Sequence, residues 1–345
     1  MITNDTSQKI TLGSLVCAAM VVAIHICGDV ENGSLVWWWE QVGHYGVFLA
    51  AVPFFFVCSG FFLGRHCEES GWWPRECRKR VRSLLVPFLI WSVVYAAFVV
   101  GAVASANILH GRGALQGLPG GRGYWLRAIG VYPFDYPLLV PLWYIRSLLI
   151  FVALSPLFAK LVRSFGRTFL VVVYVVALTS TAVLSPGRFF EFFDKVFRLD
   201  GLFYFCCGLF FAWRRNDLPH LSRRVAVLLL SGGFFAVALK SYLAFATGWQ
   251  NDGLSRLLFV PPILAGMWTL LPALSVPSRL SKLSFPLYLL HGPVLYAGGL
   301  ALRFHPECLS GWFCKYAFAV GTSVAMILLL RRLAPRITNV VFGGR

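Results

Sequence analysis

Four ionisable side chains interrupt long apolar stretches of this sequence: His25, Arg146, Lys240 and His291. If those stretches span a membrane, each of these groups costs free energy there, and each is therefore a candidate functional residue. Imidazole is the side chain best suited to take a proton from a hydroxyl near neutral pH. A guanidinium keeps its proton and binds phosphate or carboxylate. The residue types thus indicate proton transfer from a hydroxyl and binding of an anionic group.

His25 lies eleven residues after Ser14, and eleven helical steps return almost to the starting angle. Ser14, Ala18, Val21 and His25 therefore share one helix face, which is small and polar enough to line a cavity. A catalytic histidine on that face is one interpretation. A histidine that only donates a hydrogen bond to a neighbouring helix is the other, and the spacing alone does not separate them.

Arg146 is predicted to lie near the middle of an apolar segment, where it must face an anion, a group of carbonyls or water. We expect no Asp or Glu deep in any membrane span to pair with it. A ligand phosphate or carboxylate and a structural ion pair are both open as its partner. Lys240 is predicted to be structural, because its long side chain can extend toward the membrane surface.

The elements that must position these residues are membrane helices. Of the 345 residues, 58% are hydrophobic and 13% are charged, whereas soluble domains carry roughly a quarter charged residues. Apolar segments of about the length that crosses a bilayer recur along the chain. We predict ten spans, near residues 10–27, 42–64, 83–103, 137–159, 168–185, 200–213, 225–247, 253–275, 285–303 and 312–330. The apolar runs are too continuous for a barrel, so residues 1–345 are predicted to form a single all-α, polytopic transmembrane bundle.

The net charge of +17 follows the predicted topology. With the N-terminus inside, 20 of the 31 Lys and Arg residues fall on the cytoplasmic side, as the orientation rule requires. Both termini are then cytoplasmic, and the protein is predicted to be a multi-pass inner-membrane protein in contact with lipid. This placement explains the positive charge without a nucleic-acid partner.

Nine cysteines give no Cys-x-x-Cys pair and no histidine at metal-ligand spacing, so no metal site is predicted. Cys308 and Cys314, near the last predicted outer loop, are the pair for which a disulfide is considered.

A basic run from Arg75 to Arg82 leads directly into the third predicted span. Such a run commonly sets orientation and contacts anionic lipid. The functional alternative is a cytoplasmic docking site for a donor that carries a nucleotide, because arginine binds phosphate with two parallel hydrogen bonds.

Taken together, these motifs resemble acyltransferase family 3, the integral membrane acyltransferases of surface polysaccharides, over nearly the whole chain. His25 falls where the family has its first-span histidine. The remaining matches are the Phe-rich segment Val52 to Phe61 ending in Ser-Gly-Phe, the Arg-rich entry Arg78 to Arg82 before Val86-Pro87-Phe88, the Leu-Trp-aromatic motif Pro141 to Tyr144, and the late Ser-x-x-x-Tyr-x-x-His segment Ser284 to Pro293. Each of the five motifs is degenerate by itself, but their occurrence together in the right order is specific for the family. Many members have an arginine at the position where this chain has Ser14.

The resemblance implies transfer of an acyl group, most often acetyl, from cytoplasmic acetyl-CoA or another acyl-CoA to a hydroxyl of an envelope glycan. The acyl-CoA is a donor substrate, and no bound cofactor is expected. His25 is the implied catalytic base. The residues expected to bind substrate are Ser59, Arg80, Arg82, Trp143, Tyr144, Arg146 and His291.

Two other functions are considered beside acyl transfer. A transporter or flippase of a lipid-linked sugar or a small anion would use Arg146 as its substrate clamp. A structural subunit of an envelope complex is the third hypothesis. An enzyme transfers from or hydrolyses acetyl-CoA, and a flippase does neither.

Overall fold

The computed structural model of this chain describes residues 3–26, 28, 30–110, 117, 119–133, 135–182, 192–215, 217–249, 251–302 and 308–344. Every regular element within these ranges is helical, as predicted. In chain order, helices α1 to α17 are Asn4–Ile24, Leu35–Val42, Ala51–Gly64, Trp72–Arg80, Val86–Leu109, Gly121–Ala128, Trp143–Ala153, Ser155–Phe165, Arg167–Ala182, Leu199–Arg215, Arg223–Thr247, Asp252–Leu258, Val260–Leu270, Ser278–Ser281, Ser284–Leu302, Leu309–Leu333 and Pro335–Val341. The π-helical segments Val81–Leu85 and Phe192–Phe197 lead into α5 and α10.

Among the described residues, six helices are long and apolar enough to cross a membrane. They are Asn4–Ile24, Leu35–Gly64, Trp72–Leu109, Phe192–Arg214, Arg223–Thr247 and Leu309–Leu333. A seventh is added if the bent pair α7 and α8 forms one span. The polytopic helical bundle is therefore supported, whereas the predicted count of about ten spans is not confirmed. The cytoplasmic side of both termini stays a prediction.

Prolines explain why some of the predicted spans are broken. Within 137–159, α7 ends at Ala153 and α8 begins at Ser155 with a bend of 68°. Pro156 lies in the first turn of α8, where its missing N–H is tolerated, but it cannot continue the preceding helix. Within 253–275, Pro261 and Pro262 have the same effect at the start of α13.

Two glycines bring α3 and α10 into backbone contact. A Cβ atom at Gly60 would collide with the carbonyl oxygen of Phe205, and one at Gly208 would collide with that of Val57. Small residues at a helix interface allow this close approach in membranes. The crossing fixes α3, which carries Ser59 of the Ser-Gly-Phe motif, against α10.

Helix α1 is central in the bundle, because it packs against α3 as well as against α15 and α16. It carries Ser14 and His25, and its neighbour α15 carries His291. Helix α1 thus places His25 next to the helices that carry Ser59 and His291.

The disulfide considered for Cys308 and Cys314 is not formed, and both residues are exposed. Cys308 instead caps α16, with its Sγ atom accepting a hydrogen bond from the backbone N–H of Gly311 at 3.4 Å.

Candidate active site

His25 lies at the end of α1, in a segment held from two sides. The backbone N–H of His25 donates to the carbonyl oxygen of Val22 at 3.1 Å, which closes the helix. Immediately afterwards, the indole N–H of Trp312 donates to the carbonyl of Ile26 at 3.2 Å. The N–H of Gly28 donates to the buried carboxylate of Glu40 at 3.0 Å. These contacts fix the chain on the C-terminal side of the imidazole.

A second imidazole lies beside the first. The ring centroids of His25 and His291 are 5.0 Å apart, with the rings tilted by 34°. His291 is fully buried, and its Nδ1 atom is 3.3 Å from the carbonyl oxygen of Leu287. A proton on Nδ1 would donate to that carbonyl and leave Nε2 as an acceptor. Nε2 is buried and has no hydrogen-bond partner among the described residues.

The His25 cavity, as we call it, has a volume of about 330 Å³ and a mixed polar and aromatic lining. Its polar side chains are His25, His44, Tyr136, Asp200, Tyr204 and Arg256, and its aromatic walls include Phe56 and Trp143. Such a lining suits a ligand that carries hydroxyl groups and stacks on aromatic rings. The cavity therefore presents an imidazole to a polar space with aromatic walls.

An ion network lies in the wall of the His25 cavity. The Arg198 guanidinium, 1% exposed, binds the Asp200 carboxylate with two bonds, Nε to Oδ1 at 3.0 Å and Nη2 to Oδ2 at 2.5 Å. Arg256 Nη1 is 3.4 Å from the same Asp200 oxygen. The Trp143 ring stacks on Arg198, whose guanidinium carbon is 4.5 Å from the ring centroid.

This network corrects the expectation that no carboxylate lies deep in a span. Asp200 is 8% exposed and belongs to the membrane helix Phe192–Arg214. Arg198 has a φ of +55°, a left-handed conformation that costs free energy for a non-glycine residue. Such strain persists where the surroundings over-determine it, and here the bidentate pair with Asp200 does so. The sequence signal was present, since Arg198 and Asp200 flank Leu199 at the start of an apolar segment.

A second cavity, of about 230 Å³, has apolar side chains in its lining together with the polar residues Ser14, Ser59, Arg80, Tyr144, Ser284 and Tyr288. We call it the Arg80 cavity. The hydroxyls of Ser59 and Tyr144 are 3.3 Å apart and share a hydrogen bond. The Arg80 side chain is 13% exposed, with Nε 3.4 Å from the Glu76 carboxylate.

Aromatic side chains and His291 separate the two cavities. The Tyr144 ring lies 4.7 Å from Phe56 and 5.8 Å from Tyr288, centroid to centroid. Tyr288 lies 6.1 Å from His291 and donates its hydroxyl to the carbonyl of Pro141. Because consecutive helical residues point about 100° apart, Trp143 faces the His25 cavity while Tyr144 faces the Arg80 cavity.

Arg146 is held by backbone carbonyls. Its Nη1 donates to Gly130 and Tyr132, both at 3.2 Å, and its Nη2 donates to Asp135 at 2.9 Å and to Lys195 at 2.8 Å. The side chain is 7% exposed and does not line the His25 cavity or the Arg80 cavity. Among the partners considered from the sequence, the group of carbonyls is the one observed. Its role in substrate binding stays a prediction.

Replacing Arg146 by lysine is expected to lower the free energy of unfolding by roughly 1–3 kcal/mol, because one ammonium cannot reach four carbonyls and leaves some of them buried without a donor. Thermal unfolding of the purified protein in detergent measures this. Arg127→Lys is the matched control, since the Arg127 side chain is 40% exposed, and it should change stability little. If Arg146→Lys keeps its stability and loses affinity for substrate, Arg146 binds ligand instead.

Lys240 is buried, not extended toward the surface as predicted. It is 1% exposed and donates to the carbonyl of Tyr45 at 2.9 Å. That contact supports the interpretation of Lys240 as structural. The ammonium group is accommodated by a buried carbonyl, and not by extension of the side chain to the membrane surface.

The structure thus brings most of the predicted site residues to two adjacent cavities. His25 and Trp143 line one, Ser59, Arg80 and Tyr144 line the other, and His291 lies beside His25 in the partition. Arg82 is exposed and lines neither. Sequence reasoning missed Asp200 and Arg256, which the helix order brings to the His25 cavity from two separate segments.

Comparison with known proteins gives two findings. The profile of the family described as "Acyltransferase domain" matches residues 13–332. Succinoglycan biosynthesis protein ExoH of Rhizobium meliloti (strain 1021) is 26% identical over 383 aligned positions, which cover 99% of this chain and 93% of the relative. No solved structure is similar enough to be matched.

Proposed function

We propose an activity for this chain on the premise of its family: it belongs to acyltransferase family 3. The proposed activity is transfer of an acyl group from cytoplasmic acyl-CoA to a hydroxyl of an envelope glycan. Acetyl is the acyl group that we propose. The similar Rhizobium meliloti protein is named for the biosynthesis of succinoglycan, which supports a polysaccharide acceptor. We place the protein in the cytoplasmic membrane, with the Arg80 cavity on the cytoplasmic side.

The observation that carries the proposal is the position of His25 in a polar cavity next to a second, basic cavity. In the proposed step, the imidazole of His25 takes the proton of the acceptor hydroxyl as its oxygen attacks the thioester carbonyl carbon. A C–O ester bond forms and the C–S bond breaks. The CoA thiolate leaves and takes up the proton from His25.

His291 is proposed to assist from the partition between the cavities. Its ring is beside that of His25, and its Nε2 atom has no hydrogen-bond partner among the described residues. An acceptor at this place can orient His25 or the substrate hydroxyl. This is how we account for its predicted substrate-binding role.

The donor must bridge the two cavities. Ser14 and His25 are eleven residues apart on α1, which at 1.5 Å per residue is roughly 16 Å. We propose that the CoA phosphates bind near Arg80 and that the pantetheine arm extends past Ser59 and Tyr144 toward His25. The aromatic partition of Phe56, Tyr144 and Tyr288 then has to open for the arm to pass.

Glycan made by cells with and without the gene tests the proposal directly. We expect the glycan of cells that lack the gene to have lost one class of base-labile ester, and expression of the intact gene to restore it. An unchanged ester content in both strains would contradict acyl transfer to a glycan.

Changing Arg80 to glutamine is expected to weaken acyl-CoA binding by roughly 10-fold or more, because a charge-assisted bond to phosphate is lost inside the cavity. Arg82→Gln is the comparison, since Arg82 belongs to the same basic run but is exposed, and it should weaken binding less. Isothermal calorimetry with acetyl-CoA measures both. If neither change alters binding, these arginines are topology signals only.

The flippase hypothesis used Arg146 as a substrate clamp. The guanidinium instead donates four hydrogen bonds to backbone carbonyls, which leaves it little capacity to hold a moving anion. We therefore favour the enzyme.

A further inference from the structure

We infer that the His25 cavity contains a binding site for a carboxylate-bearing group, with Arg256 as the residue that recognises it. The inference rests on the proposed function in one respect: it names a chemical feature of the substrate that reaches His25.

Asp200 is already neutralised without Arg256. Arg198 binds both oxygens of the carboxylate, and its remaining nitrogen donates to the Tyr136 hydroxyl at 3.3 Å. A bidentate pair of this kind satisfies one carboxylate with one guanidinium. Arg256 is therefore a second cation beside a carboxylate that Arg198 already neutralises.

The Arg256 guanidinium has donors to spare. It makes one contact to a side chain among the described residues, from Nη1 to Asp200 at 3.4 Å, which is long for a charged hydrogen bond. Its Nε and second Nη atoms have no partner there. The side chain is 20% exposed and lines the His25 cavity. A guanidinium fork whose N–H groups have no partner among the described residues, on the wall of a partly open cavity, fits the two oxygens of a carboxylate.

The position of Arg256 is fixed in two ways. The hydroxyl of Tyr204 donates to its backbone carbonyl, and the next residue, Leu257, is completely buried. The fork is thus presented by a packed helix, which reduces the entropy lost when a ligand binds.

The charge balance favours a single negative charge. The network of Arg198, Asp200 and Arg256 contains two cations and one carboxylate. Asp194 is not counted in it, because its carboxylate is 40% exposed and lies 3.9 Å from Arg198. One excess positive charge suits a carboxylate better than a doubly charged phosphate. The carboxylate has two chemical sources: an acidic sugar of the acceptor, or the far end of a dicarboxylic acyl group on the donor.

Binding of paired probes to the purified protein in detergent tests the inference. The acceptor arm compares glucuronate with glucose, and the donor arm compares succinyl-CoA with butyryl-CoA. In one arm we expect the carboxylate probe to bind roughly 10- to 100-fold more tightly than its neutral counterpart. Arg256→Gln is expected to abolish that preference and to leave binding of the neutral probe unchanged.

Arg279→Gln is the matched control, because it removes an exposed arginine outside the cavity and should keep the preference. If Arg256→Gln does not fold, Arg256→Lys keeps the charge beside Asp200 without the fork, and is expected to fold and lose most of the preference. The inference is overturned if wild-type protein shows no preference in either arm, or if the Arg256 variants retain it.

Failure of the site and failure of the proposed function are distinguishable. Protein that shows the binding preference but transfers no acyl group overturns the proposed function and leaves the carboxylate site in place. Protein that transfers acyl groups without the preference overturns the site alone.

Discussion

Replacing His25 by alanine is expected to lower the rate of acyl transfer by roughly 10² to 10⁴, the range that a general base contributes. His25 is the imidazole that both ends α1 and lines the polar cavity. Its backbone N–H bonds Val22, and the next residues are held by Trp312 and Glu40 through the contacts described above. Without it, the acceptor hydroxyl keeps its proton during attack on the thioester. Transfer of labelled acyl groups by purified protein measures the rate.

His66→Ala is the control for the loss of an imidazole. The His66 side chain is 48% exposed and pairs with Glu69 on the surface, outside the His25 cavity. We expect this variant to transfer acyl groups at the wild-type rate. A folded, membrane-inserted His25→Ala protein with near-normal transfer would remove His25 from the mechanism.

Changing Asp200 to asparagine is expected to lower the free energy of unfolding by about 3–5 kcal/mol, the usual cost of removing one partner of a buried ion pair. Asparagine keeps the shape of the side chain, so the loss comes from charge. Among the described residues, the carboxylate then left near the buried Arg198 cation, 1% exposed, is that of Asp194, 3.9 Å away and 40% exposed. Thermal or chemical unfolding in detergent measures the change.

Asp135→Asn is the matched control for Asp200. The Asp135 carboxylate is 32% exposed, and its oxygens are 3.4 Å from Arg127 and 3.9 Å from Lys195. Its ion pairs are worth about 0–1 kcal/mol, so its neutralisation should change stability little. Equal small effects for Asp135→Asn and Asp200→Asn would show that the buried network does not stabilise the bundle.

The helical class of the fold was predictable because a bilayer forces backbone hydrogen bonding within each segment. The motif residues Ser59 and Tyr144 were predictable because a resemblance carries their positions, and the structure places both in one cavity. The number of spans was harder to predict from the sequence than the helical class. Hydropathy does not register that a proline such as Pro156 ends one helix and begins another at a bend of 68°.

The ion network was missed for a specific reason. The sixth span was predicted to begin at residue 200, which treats Asp200 as a boundary residue, whereas the π-helical segment Phe192–Phe197 extends the helix in the opposite direction. Asp200 is therefore buried. Arg256 lies on α12, 56 positions after Asp200 in the chain. No local pattern in the sequence predicts that it contacts the same carboxylate as Arg198.

The partners of Arg146 illustrate a second limit. Its hydrogen bonds go to carbonyls of Gly130, Tyr132, Asp135 and Lys195, all in segments outside its own helix. Every residue has a carbonyl, so residue types carry no signal for such a partner. The sequence indicated correctly that the Arg146 charge needs compensation. It did not indicate whether a ligand or the backbone provides it.

Acyl transfer by the purified, reconstituted protein is the most direct test of the proposed activity. Acyl-CoA labelled in the acyl group is supplied with glycan from cells that lack the gene, and the glycan is then examined for label that mild base releases. We expect base-labile label on the glycan with wild-type protein, free CoA in equal amount, and neither product with His25→Ala. Label that stays on CoA in the presence of folded wild-type protein, for each acyl-CoA supplied, would contradict acyl transfer.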